Sequence, residues 1–115
     1  MALHLEEIVV DCRDRVALAR WWQAATGWQV VGEDSDATEL AAAPGHTPSI
    51  LFVEVAEPKR GKNRLHLDWV PGDQQEEVER LVSLGASRVD IGQGSTSWVV
   101  LADPEGNEFC VLAAR

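Results

Sequence analysis

Hydrophobic and polar positions follow the same plan in the two halves of the chain. Residues 8–12 form a mostly apolar segment with an aspartate in fourth place, and residues 65–69 open the second half with an aspartate in the same place. Residues 52–56 and 109–113 match in the same way, so an offset of 57 positions relates both pairs of segments. Because sequence identity between the halves is low, it is the order of elements that indicates an internal duplication.

The first half predicts a strand, a helix and three further strands. Residues 5–12 are rich in Ile and Val, which favours a strand. A helix is expected from a cap at Asp14 to about Thr26, where Gly27 supplies a left-handed stop. The apolar stripe of this helix consists of Val16, Leu18, Ala19, Trp22 and Ala25. The later strands are predicted at 28–32, 38–42 and 49–56.

The second half repeats this order. A strand at 64–70 precedes a helix that is capped by Asp73 and ends at Gly85. The buried face of that helix is expected to consist of Val78, Leu81, Val82 and Leu84. Residues 103–107 have the Asp, Pro and Gly positions of a tight turn. The remaining strands are predicted at 86–91, 98–102 and 108–113, which gives an α+β fold.

Length and composition limit the domain organisation. A chain of 115 residues with 45% hydrophobic content is expected to form one domain, 1–115, in which a module of about 1–58 packs against one of about 62–115. Residues 1–7 lack the basic start and apolar run of a secretion signal, and no apolar stretch approaches a bilayer span. We therefore expect a cytoplasmic protein that does not enter membranes.

The charge balance argues against polyanionic partners. A formal net charge of −9 repels nucleic acid and anionic membrane surfaces. Four cations nevertheless cluster at the junction of the two halves, namely Lys59, Arg60, Lys62 and Arg64. This basic junction could attract an anion, but we favour the alternative that it is a solvated linker which prevents edge pairing.

Three motifs carry a resemblance to a known group of proteins. They are the turn at 103–107 before a final strand, the helix end at 20–28 with its Trp-Trp and Thr-Gly-Trp sequences, and the Leu-His-Leu-Asp opening at 65–68. Together they resemble the vicinal oxygen chelate superfamily of glyoxalases, bleomycin-resistance proteins, fosfomycin-resistance enzymes and extradiol dioxygenases. The resemblance is closest to small bacterial glyoxalase-like proteins. It implies two βαβββ modules whose curved mixed sheets form a cupped cavity, with helices on the outer face, usually completed in a homodimer.

The resemblance also implies a set of ligand positions. Enzymes of the group commonly place His and Glu on the first and last strands of each module, where they bind a divalent metal. Here His66 and Glu7 fall on the first-strand positions, and Cys110 falls where the last-strand Glu is expected. The matching position of the first module falls on Val53, although a one-residue slip would offer Glu54. A metal held by His66 and Glu7 stays open as an alternative, and we expect a metal-free pocket.

Strand alternation places polar groups on one side of each opening strand. Side chains two apart share a face, so Glu7 and Asp11 point together, as do His66 and Asp68, while Leu65 and its apolar neighbours Ile8, Val10 and Leu67 form the helix-covered face. Carboxylates beside an imidazole are candidates for proton transfer or for holding a cation. The plainer alternative is a solvated sheet face. Core packing explains most of the five tryptophans, but Trp98 could line a cavity.

These observations support two main functional hypotheses. The first is a lyase or isomerase in which His66 and Glu7 act as metal ligands or as a base and its orienting partner, with Asp11, Asp68, Trp98 and Cys110 contacting a small organic ligand. The second is a non-catalytic protein that sequesters a drug or metabolite, in the manner of the bleomycin-resistance proteins, for which the acidic balance and the tryptophans suit a planar cation. A regulatory or accessory domain is a third class.

Overall fold

In the computed structural model, which describes residues 2–115, each half of the chain folds in the order β-α-β-β-β. Unit 1 ends at Pro58 and unit 2 comprises Lys59–Arg115. The boundary falls at the start of the basic junction. The predicted α+β class with two βαβββ modules is confirmed. In the described part of the chain, neither helix has the length and apolar character needed to cross a bilayer.

Unit 1 is a four-stranded mixed sheet with one helix. Its elements are β1 (Glu7–Cys12), α1 (Arg15–Thr26), β2 (Gln29–Glu33), β3 (Ala37–Ala41) and β4 (Ser49–Glu54). The strand order is β1-β4-β3-β2, in which β1 and β4 are parallel and the other pairs are antiparallel. Helix α1 packs on β3 and β4.

Unit 2 repeats this topology with shorter strands. Its elements are β5 (Asp68–Trp69), α2 (Gln74–Leu84), β6 (Ser87–Arg88), β7 (Val99–Ala102) and β8 (Glu108–Val111). The strand order is β5-β8-β7-β6, in which β5 and β8 are parallel and the other pairs are antiparallel.

Strand register confirms the internal duplication. In unit 1, Asp11 faces Val53 across the β1–β4 pair. In unit 2, Asp68 faces Cys110 across the β5–β8 pair. Both partners are displaced by the same 57 positions that relate the two halves of the sequence. The duplication therefore extends from the pattern of elements to individual backbone pairs.

Capping residues mark the ends of both helices where the sequence predicted them. The Asp14 carboxylate accepts a hydrogen bond from the Ala17 amide at 3.1 Å, and the Asp73 carboxylate accepts one from the Glu76 amide at 2.9 Å. Each bond satisfies an amide that the first helical turn leaves unpaired. At the other end of α1, Gly27 adopts a φ of 76°, which a side chain would strain.

The buried face of α1 is shifted from the predicted stripe, and that of α2 is narrower than predicted. In α1, Trp21 is buried together with Trp22, and their rings meet edge-to-face with centroids 5.0 Å apart, whereas Val16 is exposed. In α2, only Val78 and Leu81 of the four expected positions are buried, and Val82 and Leu84 are exposed. A helix on one small sheet buries a single stripe, so apolar residues at its margins stay in contact with solvent.

The predicted strand at 64–70 is wrong in its extent, since β5 comprises two residues. Its partner β8 begins only at Glu108, because the preceding residues are held in a turn in which the Gly106 amide bonds to the Asp103 carbonyl at 2.8 Å. Residues 64 and 65 therefore lie beyond the paired part of β8. The expectation that Leu65 lies under a helix is also wrong, because it is 87% exposed.

The strand predicted at 86–91 is likewise shorter, with β6 limited to two residues. Beyond it, the Ile91 amide donates to the side chain of Gln93 at 2.8 Å, and the Gly92 amide donates to the carboxylate of Asp90 at 2.8 Å. These side-chain acceptors replace strand partners and turn the backbone away from the sheet.

Candidate functional site

Three polar side chains of unit 2 converge at the β5–β8 pair. The Nδ1 atom of His66 lies 3.0 Å from Oδ1 of Asp68 and 3.7 Å from Sγ of Cys110. One nitrogen, oxygen or sulfur atom of each residue lies within 4.8 Å of those of the other two. We call His66, Asp68 and Cys110 the unit 2 cluster.

The backbone explains why these residues meet. Asp68 and Cys110 are register partners on parallel strands, and the Cys110 amide donates to the Leu67 carbonyl at 2.9 Å. His66 precedes Asp68 by two residues, which is the spacing that puts side chains on one face of an extended chain. The predicted shared face of His66 and Asp68 is thus observed as a direct contact.

Burial differs across the cluster. Cys110 is 3% exposed, whereas the side chains of His66 and Asp68 are 41% and 47% exposed. The thiol therefore forms the closed end of the cluster, and the imidazole and carboxylate form the end that a dissolved molecule can reach.

Electrostatics keep the Cys110 thiol protonated. Burial raises its pKa, and the negative charge and hydrogen bonding of Asp68 raise the pKa further, while the positive charge of Lys62 lowers it in part. A protonated thiol is a weak nucleophile. Cys110 is consequently a poor candidate for covalent catalysis in the metal-free protein.

The geometry at His66 favours one tautomer. With Nδ1 carrying hydrogen, the ring donates to the Asp68 carboxylate, and this arrangement leaves the lone pair on Nε2. The carboxylate then orients the ring and stabilises the imidazolium that forms when Nε2 takes up a proton. The pair can therefore act as a general base.

The donor types of the cluster also suit a metal of the kind that the superfamily implies. Imidazole nitrogen, carboxylate oxygen and thiolate sulfur are all zinc ligands, and bonds of about 2.0–2.3 Å place tetrahedral donors roughly 3.3–3.8 Å apart. The distances of 3.0 and 3.7 Å from His66 Nδ1 lie close to that range, and the donor atoms of all three residues lie within 4.8 Å of one another. His66, Asp68 and Cys110 would hold such an ion, which supplies Lewis acidity toward a ligand oxygen when bound.

The other predicted site residues lie in different places. Glu7 and Asp11 are on β1 of unit 1, where Glu7 is half-buried opposite Ser49 and Asp11 is exposed opposite Val53. By the offset of 57 positions, the residue that corresponds to His66 is Val9. Unit 1 thus retains only the aspartate at the three positions that form the unit 2 cluster. The roles of Glu7 and Asp11 stay predictions.

Trp98 lies just before β7, and its residue is 41% exposed. The segment before it is fastened by Gln74, whose side-chain amide donates to the carbonyls of Ser97 at 2.8 Å and Val111 at 3.0 Å. The first residue of α2 thereby connects the end of a Gly/Ser-rich loop, residues 92–97, to the end of β8. An exposed indole on a fastened segment is suited to contact a planar ligand.

One feature of unit 2 was missed from the sequence. The Glu108 carboxylate accepts a hydrogen bond from the Asn63 amide at 2.9 Å and forms an ion pair with Lys59 Nζ at 3.2 Å, and Lys59 also donates to the Gly61 carbonyl. Burial, the largest single influence, raises the pKa of Glu108, but the hydrogen bonds from backbone amides and the charge of Lys59 together outweigh it and lower the pKa. We call this arrangement the Glu108 clamp.

The Glu108 clamp changes the interpretation of the basic junction. Lys59 and Asn63 are fixed to the start of β8, only two residues from Cys110, whereas Arg60, Lys62 and Arg64 stay exposed. The segment that leads into His66 is therefore anchored at two points. In the sequence, the cluster of cations was the available indication of this arrangement, and it does not show that Glu108 is the partner of Lys59 and Asn63.

Two mixed sheets, in each of which the first strand of the unit pairs in parallel with its last strand, and the duplicated βαβββ order define the class of the protein, the vicinal oxygen chelate superfamily. Within that class, the chain belongs to the glyoxalase-like domain family, which matches residues 7–112. A comparison with curated proteins finds no match.

Solved structures share the fold at low sequence identity. A glyoxalase/bleomycin resistance protein/dioxygenase family enzyme from Burkholderia phytofirmans PsJN is 20% identical, with 95% of this chain and 97% of that chain covered and a TM-score of 0.75. A glyoxalase-related enzyme from Fulvimarina pelagi is 18% identical, with coverages of 96% and 87% and a TM-score of 0.70. The trypanothione-dependent glyoxalase I of Leishmania major is 14% identical, with coverages of 97% and 87% and a TM-score of 0.73. These similarities concern the fold.

Proposed function

We propose that the chain binds a small carbonyl compound at the unit 2 cluster and catalyses proton transfer as a lyase or isomerase, with His66 as general base. The observation that carries this proposal is the 3.0 Å contact between His66 Nδ1 and Asp68 Oδ1 on a partly exposed face. Membership of the glyoxalase-like family is consistent with it. A homodimer, and ligand-binding roles for Glu7 and Asp11, remain predictions of the family resemblance.

The proposed reaction begins at a carbon next to a carbonyl group. Nε2 of His66 removes the proton, and the electron pair of the broken C–H bond moves into the carbonyl to give an enolate, while Asp68 stabilises the imidazolium. Where the first carbon also bears a hydroxyl group, the hydroxyl proton passes to the enolate oxygen and the proton held by His66 returns to the neighbouring carbon, which moves the carbonyl group by one position and completes an isomerisation. If the enolate instead expels a substituent, that leaving group takes the proton from the imidazolium and a lyase reaction results.

Solvent exchange tests this proposal across a range of candidate substrates. A panel of 2-hydroxy and 2-oxo carbonyl compounds is incubated with the protein in D₂O, and loss of the C–H signal is followed by proton NMR. We expect enzyme-dependent exchange for at least one compound and a decrease of about 10²–10⁴-fold in His66→Gln. His46→Gln, at an exposed loop position of unit 1, is the matched control. Full exchange by His66→Gln, or no exchange with any compound, would refute the proposal.

A non-catalytic binder is the second candidate, and the exposure of Trp98 together with the net charge of −9 favours it. It predicts quenching of tryptophan fluorescence by a planar organic cation, with no change in the compound after recovery. Trp98→Phe should weaken this quenching, whereas Trp28→Phe in unit 1 should not. Conversion of the compound to a product would rule out this candidate.

A further inference from the structure

Two lysines of the basic junction differ in whether a carboxylate compensates their charge. Lys59 is paired with the Glu108 carboxylate at 3.2 Å, whereas Lys62 Nζ donates to the backbone carbonyl of Asn63 at 3.1 Å. Within residues 2–115, which the structure describes, no ion pair involves Lys62. Its side chain is exposed and retains its full positive charge in a protein whose net charge is −9.

We infer that Lys62 is a specificity-determining residue of the unit 2 cluster, whose ammonium group binds an anionic substituent of the substrate. The inference rests on the proposed function, because it narrows the proposed carbonyl compounds to those that carry a carboxylate or phosphate group. An ammonium group is a compact charge with three rotatable donors, and it can bind either anion.

Hydrogen bonds hold the Lys62 ammonium beside the segment that leads to the cluster. The Asn63 amide donates to the Glu108 carboxylate at 2.9 Å, and the carbonyl of the same residue accepts the hydrogen bond from Lys62. Glu108 lies on β8 two residues before Cys110, and Asn63 lies three residues before His66. The cation is therefore tied to the residue that the Glu108 clamp fixes between β8 and His66.

The charge of Lys62 acts on the closed end of the cluster. It lowers the pKa of the buried Cys110 thiol, against the larger effects of burial and of Asp68. Among the cations of the described chain, Lys62 is the one with this effect. Because charges in salt solution are largely screened beyond about 10 Å, the ammonium is near enough to act on a small molecule that contacts His66.

The other charges at this place make Lys62 decisive for an anion. Asp68 contributes a negative charge, and His66 is neutral when it acts as a base, so the cluster alone repels an anionic substrate. The charge of Glu108 is compensated by Lys59. Attraction of an anionic substituent therefore depends on Lys62, and its loss should reverse the preference between charged and neutral compounds.

Three 2-hydroxyaldehydes that differ in one substituent test the inference. Glyceraldehyde is neutral, 2-hydroxy-3-oxopropanoate carries a carboxylate, and glyceraldehyde 3-phosphate carries a phosphate. Binding is measured by NMR from the shifts of the His66 ring protons and the Asn63 amide, which do not depend on turnover. We expect at least one anion to bind wild-type protein about two- to fivefold more tightly than glyceraldehyde, as an exposed charge pair allows. Comparison of the two anions identifies the preferred group.

Variants of two cations in the same junction separate a local contact from general attraction. Lys62→Gln should abolish the preference for the anion, Lys62→Glu should reverse it, and Lys62→Arg should retain it. Arg60→Gln is the matched control, because it removes an exposed cation two residues away and should retain the preference. No preference in the wild type, a preference that persists in Lys62→Gln, or an equal loss in Arg60→Gln would overturn the inference.

Solvent exchange in D₂O separates this inference from the proposed function. Where exchange occurs, Lys62→Gln should raise KM for the preferred anion at a similar kcat, because the contact is made in the bound substrate as well as in the transition state. Charge-dependent binding without exchange refutes only the proton transfer. Exchange with equal KM for the charged and neutral compounds refutes only the role of Lys62.

Discussion

Asp68 and Cys110 face each other in register across the parallel β5–β8 pair, and this relationship controls the thiol as well as the geometry of the site. After burial, the charge and hydrogen bonding of Asp68 are the main influences that raise the pKa of Cys110. Removing that charge should therefore lower the pKa and make the thiolate more abundant near neutral pH.

We predict that Asp68→Asn increases the rate at which Cys110 is alkylated in chelator-treated protein. Lys62→Gln should decrease the rate, because the charge of Lys62 lowers the pKa of Cys110. Both rates are measured against pH in a Cys12→Ala background, so that one thiol reacts. An equal rate profile in all three proteins would show that burial alone sets the reactivity.

The side chain of Gln74 provides a test of how the loop before Trp98 is fastened. Its amide bonds to two carbonyls, those of Ser97 and Val111, and truncation leaves both without this donor. We expect Gln74→Ala to lower the free energy of unfolding by about 1–3 kcal/mol. The measurement is urea denaturation followed by tryptophan fluorescence.

The neighbouring residue is the control for that experiment. Gln75 is exposed and makes one long contact of 3.4 Å with Glu79 along the same helix. Gln75→Ala should change the unfolding free energy by less than about 0.5 kcal/mol. If both variants lose the same stability, helix propensity and not the loop contact is responsible.

The parts of the fold that sequence reasoning predicted are those determined locally. Asp14 and Asp73 cap the helices through bonds to amides three residues ahead, and such contacts depend on short segments of sequence. The offset of 57 positions also relates the strand register of the two units, because both units have the same topology.

Strand length was not predictable in the same way. The pattern at 64–70 is compatible with a strand, yet pairing with β8 covers only Asp68 and Trp69, and residues 64 and 65 lie beyond the start of β8 at Glu108. The length of a strand depends on how many residues of its partner strand are available for pairing, and that partner is distant in the sequence. The same limit explains why Leu65 is exposed although alternation assigned it to the covered face.

The part of the candidate site that was predictable from local sequence is the part that lies on one strand. Alternation put His66 and Asp68 on one face, and the family resemblance supplied the position of Cys110. The bond between Glu108 and Asn63 joins residues 45 positions apart, and nothing in either local sequence indicates the other partner.

The Glu108 clamp should protect the Asn63 amide from solvent exchange. That amide donates to a carboxylate that is largely buried, so its exchange requires local opening of the segment. We predict that Glu108→Ala accelerates hydrogen exchange at Asn63 at least about tenfold and destabilises the protein by about 1–3 kcal/mol. Glu79→Ala, on the exposed face of α2, is the control and should leave this amide unchanged. Unaltered exchange at Asn63 in Glu108→Ala would contradict the clamp.

The turn between β2 and β3 predicts a pH dependence that can be assigned to one carboxylate. Hydrogen bonds from the amides of Asp36 and Ala37, at 2.8 and 2.9 Å, lower the pKa of Asp34 below its ordinary value of 3.8. Because the folded-state pKa is the lower one, the stabilising contribution is complete above the unfolded-state value and is lost as the pH falls through the folded-state value. We therefore expect Asp34→Ala to be less stable than the wild type at pH 7, with a difference that shrinks below about pH 4. Urea denaturation at a series of pH values measures this difference, and Ser35→Ala in the same turn should show no such trend. A constant difference between pH 7 and pH 2 would mean that the contribution of Asp34 does not come from its charge.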